Sequence, residues 1–287
     1  MTAVPPSEAA DGGRFVEAGG VRWHVQVMGR GPTVLLLHGT GASGHSFRSL
    51  APLLAERFTV IVPDLPGHAR STKPSAFGMS VDGMARSMAA LLVALDAQPE
   101  IAVGHSAGAA VLVRMALDRQ LRLRALIGLN AALMPLGGLM RVLSPMAKLL
   151  SLAPGVPRLV GSIARDDRAV RRLVDSTGSK IDAEASRRYA ELIRDPRHVA
   201  GAIAMMAAWN LDRTWAQMPR LQTAPLLIVG DNDRTVPPQQ ATRVAAHIVG
   251  TEIVMLAGLG HLAHEEAPET IAALIVTHAG ARGVLAS

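Results

Sequence analysis

A pentapeptide of the form Gly-x-Ser-x-Gly lies near the middle of the chain and brackets a serine with two glycines. It reads Gly104-His105-Ser106-Ala107-Gly108, between an apolar run that predicts a strand and one that predicts a helix. The glycines permit a sharp strand-to-helix turn that exposes the serine hydroxyl, and the N-terminus of the following helix favours negative charge. The pattern therefore predicts that Ser106 is a nucleophile.

A serine hydroxyl is a weak nucleophile and needs a nearby base. His261 follows the last predicted strand in Gly258-Leu-Gly-His261, where a loop side chain can reach the serine turn. His264, three residues further on, is the alternative, although it also suits a polar position at the start of a helix. We predict that His261 takes the proton of Ser106 and later gives it to the leaving group.

A carboxylate must orient that histidine, and two candidates lie in the segment Gly230-Asp-Asn-Asp-Arg-Thr-Val-Pro237. Asp231 comes directly after a predicted strand and suits the turn itself. Asp233 lies two residues further along and is the predicted acid. The chain order is then serine, aspartate, histidine.

An oxyanion hole for such a nucleophile needs two backbone N–H donors. Ala107 directly follows the serine, and Thr40, with Gly41 as the second choice, comes from the loop after an apolar strand. We predict a metal-free and cofactor-free site, in which His38 packs the loop and does not bind a metal, since no carboxylate or histidine cluster accompanies it. The residues predicted to contact the substrate are His38, Gly39, His105, Met134, Met205 and Met206.

Apolar strands alternate with helical stretches along most of the sequence, and this alternation predicts an α/β fold with a mostly parallel sheet. Eight strands are predicted, at 14–18, 21–28, 33–37, 58–62, 100–103, 123–127, 225–229 and 252–256. The predicted helices are 46–56, 82–95, 107–118, 238–249 and 264–279.

Residues 131–220 interrupt this alternation of strands and helices, because their pattern predicts helices and no clear strand. We predict that they form a cap inserted after the sixth strand, over a core made of residues 1–130 and 221–287. The cap holds 14 basic and 8 acidic residues, and the remaining chain holds 15 of each. The whole net charge of +6 therefore lies on the cap.

Composition excludes several classes of function. The 287 residues include no cysteine, which rules out disulfides and thiolate chemistry. Aromatic residues make up 3% of the chain and no block of five or six like charges occurs, so a nucleic-acid partner is not expected. With no signal peptide or membrane span visible, we expect a cytoplasmic protein, with the apolar segment Ala131–Ile163 as an alternative point of peripheral contact with a membrane.

The sequence resembles the α/β-hydrolase superfamily from residue 14 to about residue 282. The motifs that carry this resemblance are His38-Gly39, Asp64-Leu-Pro-Gly67-His68, the Ser106 pentapeptide, Gly230–Pro237 and Gly260-His261. Ala69 departs from the pattern, since a second glycine is frequent there. A serine nucleophile disfavours the dehalogenase and epoxide-hydrolase branches, whose nucleophile is an aspartate.

A narrower resemblance is to the BchO-like accessory proteins of magnesium chelatase in bacteriochlorophyll synthesis. It rests on segments 38–43, 104–110, 114–118, 144–150 and 198–206. This resemblance implies a role near magnesium insertion into a porphyrin, an anionic and largely apolar molecule. Three hypotheses stay open: a serine hydrolase of tetrapyrrole metabolism, a non-catalytic porphyrin-binding protein, and a general carboxylesterase or C–C bond hydrolase.

Overall fold

A single mixed sheet forms the centre of the protein. The computed structural model describes residues 7–8, 12–135, 155–157 and 166–285. Nine strands pair within these residues: β1 (Ser7–Glu8), β2 (Arg14–Ala18), β3 (Val21–Met28), β4 (Thr33–Leu37), β5 (Thr59–Pro63), β6 (Ile101–His105), β7 (Ala125–Leu129), β8 (Leu226–Gly230) and β9 (Glu252–Leu256).

The order of the strands across the sheet is β1-β2-β3-β5-β4-β6-β7-β8-β9. The strands from β5 to β9 in this order run parallel, and β3 joins β5 antiparallel at one side. The predicted α/β-hydrolase fold with a mostly parallel sheet is confirmed. The eight predicted strands correspond to β2–β9, and the two-residue β1 adds a ninth.

The central strands are apolar because helices cover both faces of the sheet. In β4, Leu35 and Leu37 point into one core cluster, while Val34 and Leu36 point into the other. Each fully buried leucine contributes about 2 kcal/mol of hydrophobic free energy. This two-sided burial fixes the strand ends, and with them the loops that follow.

Ten α-helices occur among the described residues. They are α1 (Leu50–Ala55), α2 (Val81–Ala94), α3 (Ala107–Leu117), α4 (Asp167–Asp175), α5 (Ala183–Arg194), α6 (Pro196–Ala207), α7 (Asp212–Gln217), α8 (Gln239–His247), α9 (Ala263–Glu266) and α10 (Pro268–Ala281). Helices α2, α3 and α8 cover one face of the sheet, and α1 and α10 cover the other.

Several predicted elements differ in their bounds, and three of these differences have a visible physical cause. The strand predicted at 123–127 is β7, at Ala125–Leu129, because Arg124 is exposed and burial starts at Ala125. The helix predicted at 46–56 is a 3-10 turn followed by α1, since Pro52 has no N–H to continue a helix from residue 48. Pro268 divides the helix predicted at 264–279 into α9 and α10 for the same reason.

Between β7 and β8, the described residues contain helices and no strand. Helices α4, α5, α6 and α7 lie there, followed by a 3-10 turn at Met218–Arg220. Residues 136–154 and 158–165 lie outside the described residues, and with them most of the segment Ala131–Ile163 and the motif at 144–150. In the described parts of the chain, no helix has the length and apolarity that crossing a membrane requires.

Candidate active site

Ser106 occupies the turn between β6 and α3. Its φ of +49° and ψ of −116° are unusual for a residue with a side chain, a conformation that costs about 1–3 kcal/mol. The turn is tightly packed, because a Cβ at Gly108 would collide with the carbonyl oxygen of Leu37. The backbone N–H of Ser106 donates to the Leu129 carbonyl at 3.0 Å. The neighbouring strands therefore hold the strained serine in place.

Asp233 and His261 form a buried pair at the carboxyl end of β8. The Nδ1 atom of His261 lies 2.8 Å from Oδ2 of Asp233, whose side chain is 0% exposed. Asn130 Nδ2 and the backbone N–H groups of Thr235 and Val236 also donate to this carboxylate, at 2.8–2.9 Å. Four donors thus satisfy a group that only accepts. With Nδ1–H donating to Asp233, Nε2 of His261 is left as the basic nitrogen.

The loop that carries His261 is joined to the serine turn through His105. The Nε2–H of His105 donates to the His261 carbonyl at 3.0 Å, and the two rings lie 4.7 Å apart. Burial holds the pKa of His105 well below its ordinary value, so this ring is neutral. Among the described residues no hydrogen bond joins Ser106 Oγ to His261; such contacts often form only once substrate is bound.

The alternatives for base and acid lie elsewhere. His264 is fully buried beside Phe47 and His105, and neither of its ring nitrogens has a hydrogen-bond partner among the described residues. Burial lowers its pKa to about 3. Asp231 accepts from the Gly258 N–H at 2.7 Å and so joins the loop after β8 to the loop after β9. Asp233 therefore pairs with His261, and not with His264.

The loop after β4 forms a tight turn against the serine, which we call the oxyanion turn (Gly39–Ala42). The Ala42 N–H donates to the Gly39 carbonyl at 3.3 Å, and Gly41, at the third position, has a φ of +76°. A Cβ at Gly39 would lie 3.0 Å from Cβ of Ser106. Ala107 begins α3, so its N–H has no acceptor within the helix.

The predicted substrate-contacting residues have different environments. His38 is fully buried and packs the loop: its Nε2 accepts from Leu65 N–H and its Nδ1 donates to the Gly39 carbonyl, each at 2.8 Å. Burial lowers its pKa to about 4. Met205 is buried, and its Sδ accepts from Thr40 Oγ1 at 3.3 Å. Met134 is half-buried in the same core cluster, whereas Met206 is 39% exposed.

Two further residues at this site were missed by the sequence analysis. Asn130 follows β7 with a φ of +45°, a conformation that asparagine tolerates, and holds Asp233. Its position after a strand that neighbours β8 was a usable signal. His198 in α6 contacts the oxyanion turn, and a lone histidine in a helix gave no comparable signal. Within the described ranges, no cluster of three or more candidate ligands for a metal ion occurs.

A separate cavity of about 940 Å³ lies between the loops after β4 and β5 and the helices α5 and α6. Ser106 does not line it, so this cavity and the candidate chemistry are in different places. Three carboxylates line it, Asp64, Glu191 and Asp195. Its basic residues are Arg22, Arg48, Arg70, Lys73, Arg188 and Arg197.

Comparison with known proteins defines the class to which this fold and site belong. Residues 32–268 match the alpha/beta hydrolase fold family, which is most of the chain. The chain therefore belongs to the α/β-hydrolase family.

Individual relatives are named for different activities. The chain is 39% identical over 249 residues to the magnesium-chelatase 30 kDa subunit of Rhodobacter capsulatus, covering 86% of each chain. A meta-cleavage product hydrolase from Pseudomonas fluorescens has a TM-score of 0.77 at 20% identity, covering 95% of this chain and 99% of that one. A lipase-like protein from Acinetobacter baumannii has a TM-score of 0.76 at 19% identity, over 94% and 91%. These two structures support the fold alone.

Proposed function

We propose that this protein is a serine hydrolase that cleaves an ester or related acyl bond through a covalent Ser106 acyl-enzyme. The observation that carries the proposal is the buried Asp233–His261 pair, linked through His105 to the strained Ser106 turn. The hydrolase fold that the chain shares with its structural relatives adds support.

The chemistry follows from the arrangement of these groups. Nε2 of His261 accepts the Ser106 proton while Oγ attacks the acyl carbon, and Asp233 stabilises the imidazolium that forms. The backbone N–H groups of Thr40 and Ala107 stabilise the oxyanion, with Gly41 as the alternative donor to Thr40. The imidazolium then protonates the leaving alcohol. Water, deprotonated by the same nitrogen, then attacks the acyl carbon; the bond between Ser106 Oγ and the acyl carbon breaks, the acid leaves, and His261 returns the proton to Ser106.

A fluorophosphonate probe tests this proposal without knowledge of the substrate. We expect the wild-type protein to gain one covalent adduct by mass spectrometry, and Ser106→Ala to gain none. Ser176→Ala, at an exposed helix end, is the matched control and should label like the wild type. A folded wild-type protein that does not label would contradict the proposal.

A second candidate is a porphyrin-binding role alongside magnesium chelation, either in place of hydrolysis or as hydrolysis of a tetrapyrrole ester. It is supported by the name of the Rhodobacter relative and by the basic lining of the 940 Å³ cavity. A porphyrin combines carboxylates with a broad apolar face, and cavities of this volume accommodate ligands of that size. Arginine suits carboxylates because its planar fork binds them in a bidentate manner.

Absorbance titration with protoporphyrin IX, its magnesium form and its neutral dimethyl ester tests this candidate. If the basic cavity binds the carboxylates, both acids saturate at micromolar concentration and the ester binds at least tenfold more weakly. Lys73→Gln should weaken the acids and leave the ester unchanged. Equal binding of the acids and the ester would place the porphyrin outside this cavity. The absence of saturable binding would rule out the porphyrin-binding role.

A further inference from the structure

One face of helix α6 lies against the loops that follow β4 and β5. His198, Gly201 and Met205 share this face, because they stand at positions i, i+3 and i+7. The side chains of His198 and Met205 are buried, and a Cβ at Gly201 would collide with the Gly67 carbonyl. The helix therefore touches the core along this whole stripe.

His198 bridges two core loops, and its partners determine its tautomer. The Ala69 backbone N–H donates to Nδ1 at 3.0 Å, so Nδ1 is an acceptor. In a neutral ring the proton then resides on Nε2, which donates to the Gly41 carbonyl at 3.1 Å. Burial lowers the pKa of His198, consistent with the neutral form.

The oxyanion turn is thus held at three successive residues. His38 donates to the carbonyl of Gly39, Thr40 Oγ1 donates to Met205 Sδ, and His198 donates to the carbonyl of Gly41. Two of these three contacts come from α6. His38 and the Ala42 N–H hold the Gly39–Thr40 peptide, whereas α6 holds the Thr40 side chain and the Gly41–Ala42 peptide.

We propose that His198, assisted by Met205, is a positioning residue that fixes the N–H groups of the oxyanion turn for the reaction at Ser106. This inference rests on the proposed serine hydrolase function. It makes α6 part of the reaction machinery: a misplaced donor weakens stabilisation of the oxyanion even though no catalytic residue is changed.

Two substitutions separate the two hydrogen bonds of His198. His198→Asn places an amide oxygen near the position of Nδ1, which keeps the acceptor for Ala69 and loses the donor to Gly41. His198→Gln places an amide nitrogen near the position of Nε2, which keeps that donor. His247→Asn is the matched control, because His247 Nε2 also bonds a backbone carbonyl, that of Trp215, on a different helix.

The assays are the second-order rate constant of fluorophosphonate labelling and the hydrolysis of p-nitrophenyl butyrate. We expect His198→Asn to lower the labelling rate and kcat by about 10- to 100-fold with KM changed less than about twofold. His198→Gln should retain most of both rates, and His247→Asn should match the wild type. Wild-type rates in His198→Asn, or equal losses in the Asn and Gln variants, would overturn the inference.

Hydrogen exchange measured by mass spectrometry on a peptide that covers residues 38–43 gives a readout independent of activity. We expect faster exchange there in His198→Asn and unchanged exchange in His198→Gln and His247→Asn. If the wild-type protein does not label, the proposed hydrolase function fails, while the exchange data still report whether α6 holds the turn. Unchanged exchange in His198→Asn would show that it does not.

Discussion

Replacing Glu265 by glutamine should change the pH dependence of stability. Glu265 lies in α9 with a side chain that is 1% exposed. Tyr189 Oη, from α5, donates to it at 2.7 Å, and Arg48 Nη1 pairs with it at 3.1 Å. Burial raises the pKa of Glu265 to about 7, and the bonds from Tyr189 and Arg48 only partly oppose that rise.

The size of the effect follows from this pKa. A rise from 4.5 to about 7 corresponds to about 3 kcal/mol, at roughly 1.4 kcal/mol per pH unit. Because the pKa is higher in the folded state, the stabilising contribution is complete below pH 4.5 and is lost as the pH rises through 7. The glutamine variant lacks this loss. The difference in free energy of unfolding between the variant and the wild type should therefore shift by about 3 kcal/mol in favour of the variant between pH 4.5 and pH 8.

Urea denaturation across this pH range measures the difference directly. Buried histidines such as His38 and His45 have lowered pKa values and produce the opposite slope, but they are present in both proteins and cancel in the difference. Glu269→Gln, at an exposed position in the first turn of α10, is the control and should parallel the wild type. A difference between wild type and Glu265→Gln that stays constant with pH would refute the reasoning.

Three further predictions concern the site and its surroundings. Asp233→Asn should lower the fluorophosphonate labelling rate by about 10³–10⁴-fold, since the carboxylate that orients His261 is lost; a loss under tenfold would contradict this role. A buried histidine with a pKa of about 3 destabilises the fold as the pH falls below 6.5, so the wild type should lose stability between pH 7.5 and pH 5. His264→Leu should therefore become more stable relative to the wild type by about 2 kcal/mol of unfolding free energy over this range. If urea denaturation gives the same difference at both pH values, His264 does not titrate in this way. Ala69→Gly should leave the Tm unchanged or slightly higher, since the φ of +43° at Ala69 suits glycine and the gain is about 1 kcal/mol or less; a fall of several degrees in a thermal scan would count against it.

Much of the fold was predictable because its signals are local. Continuous apolar runs gave the strands, as in Thr33–Leu37, and the glycine pentapeptide indicated both the serine turn and the elements on either side of it. The chain order of Ser106, Asp233 and His261 was readable for the same reason, since each follows a strand end. The errors at Ala125, Pro52 and Pro268 concerned the bounds or the continuity of an element and not its presence.

The contacts between helices α4–α7 and the rest of the chain were not predictable from local pattern. His198 lies 157 residues from Gly41 in sequence, and Tyr189 lies 76 residues from Glu265. Their roles depend on how α5 and α6 dock, which periodicity does not encode. Ala69 is another example, because the sequence shows only an alanine where a glycine is frequent. In the structure, Ala69 has a left-handed backbone conformation and its N–H donates to His198.

These contacts bear on how a substrate reaches Ser106. Helices α4–α6 and the segment between them bond the core at the carbonyl of Gly41 through His198, at Glu265 through Tyr189, and at the His261 N–H through the Thr177 carbonyl. Lifting these helices as a rigid lid would break all three bonds, at about 1 kcal/mol or more each, and release both the turn at Gly39–Ala42 and the loop that carries His261. The same movement that admitted substrate would disassemble the site. We therefore expect substrate to enter without separation of α5 and α6 from the core, so that a disulfide joining these helices to the core should slow turnover less than twofold.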